Sequence, residues 1–157
     1  MKPKLYMETS VVSYLAARPS KDPILTGQQA GTWRWWKEKR RNYDIFLSRL
    51  VWDEAAKGDP VAAKRRLKLI RPFPWLQITG PVVKLAQALV SQKAVPPSAS
   101  EDASHIALDA VYATEFLLTW NFTHINNPAT EEQVRAVCRE HGYHCPVICT
   151  PDQLLSV

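Results

Sequence analysis

The chain has 157 residues, 46% of them hydrophobic and 22% charged, with only 5 Gly. This is the size and composition of one ordinary globular domain, and it excludes disordered, collagenous and low-complexity classes. Its 20 Lys and Arg against 15 Asp and Glu give a net charge of +5, which favours polyanionic partners.

In chain order, the first segment is KLYM at 4–7, a short apolar run expected to be a strand. No run of about 18 apolar residues follows anywhere, and MKPKLYMETS places charged and polar groups where a signal peptide needs its apolar segment. A cytoplasmic protein without a membrane span is expected. Residues 24–42 read as a long helix ending near Asn42, and WRWWKEKRR within it carries five basic groups. Its Trp33, Trp35 and Trp36 suit core or partner contacts better than base stacking.

DIFLS at 44–48 is the second strand, followed by a short helix over 50–57 that Gly58, Asp59 and Pro60 stop. Residues 60–71 form the next helix, whose Lys64, Arg65, Arg66, Lys68 and Arg71 offer a basic face. Lys64, Arg65 and Lys68 are the candidate RNA contacts, with a merely solvated face as the alternative. WLQIT at 75–79 is the third strand and 81–93 a further helix.

The Pro96-Pro97 pair forces a loop, after which Ser100 is expected to cap a helix with Ala103, Ile106, Ala107, Ala110 and Val111 on its apolar side. FLLT at 116–119 and PVICT at 146–150 supply the last two strands, separated by a helix over 130–141 that stops at Gly142. Cys138, Cys145 and Cys149 have no metal or disulfide spacing and are expected to be buried reduced thiols. Continuous rather than alternating apolar runs suit strands covered on both faces. The expected architecture is a single α/β domain over 1–157, three layers deep (α/β/α), with a central, mostly parallel five-stranded sheet.

Sites in such sheets form outside the carboxyl ends of the strands. Glu8 directly follows the first strand, Glu54 lies on the helix leaving the second, Asp102 is in the first turn of the helix feeding the fourth, and Asn121 lies just beyond the fourth strand. Gathered carboxylates repel one another unless a divalent cation neutralises them, and Mg²⁺ or Mn²⁺ suits such oxygen donors. That chemistry hydrolyses phosphodiesters: the ion polarises phosphate and activates water while a second carboxylate accepts a proton.

METSVVSYL at 7–15, SRLVWDEAAKGD at 48–59, EDASHIALDA at 101–110 and LLTWNFTHINN at 117–127 together resemble, in order, the four acid-bearing segments of PIN-domain ribonucleases. The likeness spans nearly the whole chain and is closest to the VapC-type toxins of toxin–antitoxin systems. It implies a PIN-like fold and a Mg²⁺- or Mn²⁺-dependent endoribonuclease. It also implies an RNA substrate, a homodimer, and a cognate antitoxin whose peptide tail covers the acids. Carried over position by position, it makes Glu8, Glu54 and Asp102 catalytic, and Glu8, Asp102 and Asn121 the metal ligands. Glu101 competes with Asp102, Glu8 stands where Asp is usual, and Asn121 replaces the fourth acid with an amide that cannot act as a base. That last departure motivates the alternative, a PIN-like RNA-binding or regulatory module with attenuated catalysis. His105 and His124 read as packing residues outside the site.

Overall fold

The structure is a computed structural model and describes residues 1–156. Five strands form one wholly parallel sheet: β1 (Lys4–Met7), β2 (Asp44–Ser48), β3 (Trp75–Leu76), β4 (Phe116–Leu118) and β5 (Val147–Cys149), in the order β3-β2-β1-β4-β5. Around it lie α1 (Thr9–Ala16), α2 (Pro23–Lys39), α3 (Arg49–Ala55), α4 (Pro60–Ile70), α5 (Gly80–Ser91), α6 (Ser100–Tyr112), α7 (Glu131–Glu140) and α8 (Pro151–Leu155). The helices fall into two packed groups. In one, α1 contacts α2, α3 and α4, and α8 contacts α2; in the other, α5 contacts α6 and α7. Right-handed crossovers from a sheet of this order put one group on each face, giving the three layers.

Helix starts follow short-range chemistry. Asp22 accepts hydrogen bonds from the Ile24 and Leu25 amides and Asp59 from the Ala62 amide, each with Pro in the next position. Thr150 and Gln153 form a capping box at α8. Gly142 ends the segment after α7 with φ +83°, a conformation that a side chain resists. The core runs through all three layers, with Leu5, Tyr6, Met7, Leu47, Leu85, Ile106, Leu117 and Leu118 fully buried.

The expected three-layer α/β/α fold with a five-stranded parallel sheet is present, and every strand pairing among the described residues is parallel. Some local expectations change and others hold. β3 stops at Leu76 because the Tyr112 hydroxyl takes over the Gln77 backbone, accepting from its N–H at 3.1 Å and donating to its C=O at 2.8 Å. Ser100 is the first helical residue and Ala99 the cap, without a side-chain bond. Helices α1 and α8 had no counterpart in the expected pattern. Trp35 is buried in the core, Trp36 is half-buried and Trp33 donates to the Leu15 carbonyl. Cys138, Cys145 and Cys149 are free and buried.

Candidate active site

Strand order reverses between β1 and β4, where a crevice at the carboxyl ends is the favoured place for a site. Glu8, which caps α1, sits there. Its side chain is 5% exposed and satisfied from both strands. Oε1 accepts from the Ser10 hydroxyl at 2.5 Å and the Thr119 hydroxyl at 2.6 Å, and Oε2 accepts from the Ser10 amide at 3.1 Å. Ser10 Oγ in turn accepts from the Trp120 amide at 2.8 Å, so one hydroxyl ties the β1–α1 junction to the end of β4.

Ser48, at the end of β2, caps α3 and faces the Tyr6 hydroxyl at 2.7 Å. Tyr6 Oη then lies 2.6 Å from His105 Nδ1, and His105 Nε2 lies 2.7 Å from Glu54 Oε1. Thr9 donates to the same oxygen at 2.6 Å. A continuous chain of polar groups therefore runs Ser48, Tyr6, His105, Glu54, Thr9 across residues from five elements or their ends. The His105 imidazole is completely buried. Burial alone would lower its pKa, but the Glu54 hydrogen bond and the charges of Glu8, Glu54 and Asp102 outweigh that and raise it. Burial pushes the Glu54 carboxyl up, while the hydrogen bond and charge of His105, the Thr9 hydroxyl and contact with Glu101 hold it below the usual value. Burial raises the Tyr6 phenol well above its ordinary range, so it stays protonated as the link in this chain.

Glu54 contacts the His105 imidazole directly, while Glu8 and Asp102 act on it through their charges. Asp102 is half-buried, and Glu101 engages Glu54. Asn121 is placed differently. Its Oδ1 accepts from the Thr123 and His124 amides at 3.2 and 3.0 Å, which directs the amide oxygen into its own loop. Lys64 and Lys68 are exposed on α4, which packs on α1 and α3, the helices that carry Thr9 and Glu54. Arg65 is half-buried, its Nε without a hydrogen-bond partner. Arg66 instead clamps the end of α3 through the Ala55 and Lys57 carbonyls at 2.9 and 2.6 Å.

For a divalent cation the donor set is informative. Among the described residues no three His, Cys, Asp or Glu side chains form a cage. Mg²⁺ keeps several waters and commonly takes only one or two carboxylates. Glu8 Oε2, which accepts one backbone hydrogen bond, and the half-buried Asp102 are hard oxygen donors of the kind such an ion takes. The apolar groove between α5 and α6, lined by Ile78, Val82, Val83, Ala86 and Val90, has no acid or histidine in its wall and offers no such chemistry.

Tyr6 and His105 escaped the sequence reading. A histidine between apolar residues reads as packing, and the two partners of this one stand 51 and 99 residues away. The available signal was its place three residues after Asp102 on a helix, a spacing that puts both on one face. No protein-family model matches this chain, and no curated protein matches it.

Proposed function

We propose that this chain is a metal-dependent endoribonuclease of PIN type that hydrolyses RNA phosphodiester bonds, the toxin of a toxin–antitoxin pair. One observation carries the reading: Glu54 engages the buried His105 near the carboxyl ends of the strands, and the charges of Glu8 and Asp102 act on the same imidazole. Acidic charges acting together on one buried imidazole favour a further positive charge near them. When bound, Mg²⁺ or Mn²⁺ polarises the phosphate and lowers the pKa of an attacking water; Glu8 and Asp102 would hold it. Glu54, oriented by Thr9 and His105, is the carboxylate suited to order that water or take its proton. The exposed Lys64 and Lys68 on neighbouring α4, with Arg65 between them, supply a basic approach for the phosphate backbone. A homodimer and an antitoxin that covers the acids belong to the same reading.

The second reading, an RNA-binding or regulatory module with attenuated catalysis, is favoured by Asn121, whose side-chain oxygen is already engaged by two backbone amides. The two separate in a cleavage assay. With Mg²⁺ or Mn²⁺ the parent chain should cut single-stranded RNA, EDTA should abolish cutting, and Glu8→Gln and Asp102→Asn should each reduce it by about a hundredfold or more. Cleavage that survives complete chelation would sink the metal-dependent mechanism. RNA binding without cleavage at any metal concentration would favour the module.

A further inference from the structure

Phe122 is 48% exposed, and it packs on Trp120, whose amide is tied through Ser10 to Glu8. Three and two residues before it, Thr119 and Trp120 make the contacts to Glu8 and Ser10 described above. Trp120 stacks on Tyr14 with centroids 5.8 Å apart and an interplanar angle of 24°, and its indole N–H donates to Thr32 Oγ1 at 2.8 Å. Phe122 meets Trp120 nearly perpendicularly, at 6.0 Å and 83°. Beyond it, Asn121 Oδ1 accepts the Thr123 and His124 amides, and the Asn126 amide donates to the Asn121 carbonyl at 2.8 Å.

A lone exposed apolar side chain is ordinary on a protein surface. This one is different in its surroundings: the backbone on both sides is fixed by hydrogen bonds, one ring edge or face is fixed by Trp120, and the groups that hold Glu8 are its near neighbours in the chain. Core packing explains Tyr14 and Trp120 but not the half of the Phe122 surface left in water. A preordered aromatic ring beside a phosphodiester site in a chain of net charge +5 has the two elements that single-stranded nucleic acid binding uses, a stacking surface and an attractive field for the backbone.

We propose that Phe122 is a stacking platform for an unpaired base of single-stranded RNA, next to the nucleotide whose phosphate enters the acidic site. This rests on the ribonuclease reading and deepens it by assigning the residue that receives a base beside the phosphate. A base in a duplex is already stacked on its neighbours and cannot lie on the ring, so loops and single strands are selected over helices. Every base has a π face, so the platform is tolerant of sequence.

The test is binding of a fluorescent single-stranded oligoribonucleotide and of the matching duplex, measured in EDTA so that no cleavage intervenes. Parent, Phe122→Ala, Phe122→Leu and Phe122→Trp are compared, with thermal melting to verify folding. The expected result is about a tenfold weaker affinity for single strands in the Ala and Leu variants, retention in the Trp variant, and no difference for the duplex. Equal single-strand affinity in all four proteins would overturn the platform while leaving the ribonuclease reading intact. Loss in Ala but full retention in Leu would also overturn it, because apolar contact rather than stacking would then suffice. Failure of every protein to bind RNA overturns the platform as well, and the separate Mg²⁺ cleavage assay on the parent decides whether the ribonuclease reading falls with it.

Discussion

A fully buried imidazole held between a carboxylate and a phenol makes folding stability depend on pH in a particular direction. The raised His105 pKa means that its contribution is complete below its ordinary 6.5 and is lost as pH climbs through the raised value. The lowered Glu54 pKa means that its contribution is complete above its ordinary 4.5 and is lost as pH falls through the lowered value. The pair therefore contributes most between those two ordinary values. His105→Gln keeps a donor for Glu54 but cannot take a proton. It should cost about 1–3 kcal/mol inside that window and flatten the decline above it, as read from urea midpoints between about pH 5 and pH 8. Asp109 has the opposite economy. It is completely buried, its Oδ1 accepts from the Thr114 hydroxyl, and its Oδ2 has no partner. Burial raises its pKa well above the ordinary 3.8, so stability present below that value is lost as pH rises. Asp109→Asn retains the acceptor without the charge and should stabilise the fold near neutral pH; an unchanged or lowered urea midpoint there would contradict this account.

Among the elements, two junctions invite direct tests. Helix α6 ends on Ala113 at φ +54° and ψ 42°, a left-handed conformation that Cβ disfavours and that glycine adopts without penalty. Ala113→Gly should raise stability by about 0.5–1 kcal/mol, the relief of strain exceeding the added freedom of the unfolded chain, with a higher thermal midpoint as the readout. The loop after β4 depends on Asn121 as its internal cap. Asp accepts the same two backbone N–H bonds, so Asn121→Asp should leave stability and Mg²⁺ affinity nearly unchanged in thermal melts and calorimetric titration. Asn121→Ala should cost about 1 kcal/mol. A marked gain in metal affinity for the Asp variant would instead place the side chain in the coordination sphere. Elements were also where local pattern reading met its limit. Long helices and fully apolar strands announce themselves by period and by Pro and Gly stops. TSVVSYLA at 9–16 has two adjacent valines and reads equally well as extended chain, and becomes α1 because Glu8 caps it and α2, α3 and α4 pack on it. Likewise PDQLL at 151–155 is too short for a period, yet its capping box and its contact with α2 make it α8.

At the scale of the whole molecule, the parallel sheet was legible because strands buried on both faces have little polar residue content, and Glu8 was legible as a position because it directly follows an apolar strand, whereas Glu54 and Asp102 lie on helices where spacing alone does not separate them from solvated acids. What joins them was not legible. The hydrogen bonds from Thr119 to Glu8, from Tyr6 to Ser48 and from His105 to Glu54 span 111, 42 and 51 residues, and such pairings leave no trace in local spacing. Asn121 shows the converse: its place after β4 was correctly located, but the direction of its side chain is decided by the two amides of the following turn.

The central position of β1 also governs when this protein can become itself during synthesis. β1 pairs with β2 on one side and with β4 on the other, and the hydroxyl and amide that complete the surroundings of Glu8 belong to Thr119 and Trp120. A nascent chain that has emerged only through α5 can pair β1, β2 and β3, but its Glu8 still faces the gap that β4 will fill. Closure waits for a contact of very long sequence separation, the slow kind in folding. Under the ribonuclease reading, no competent cutting site can exist beside the ribosome until the segment carrying Thr119 and Trp120 has emerged from it.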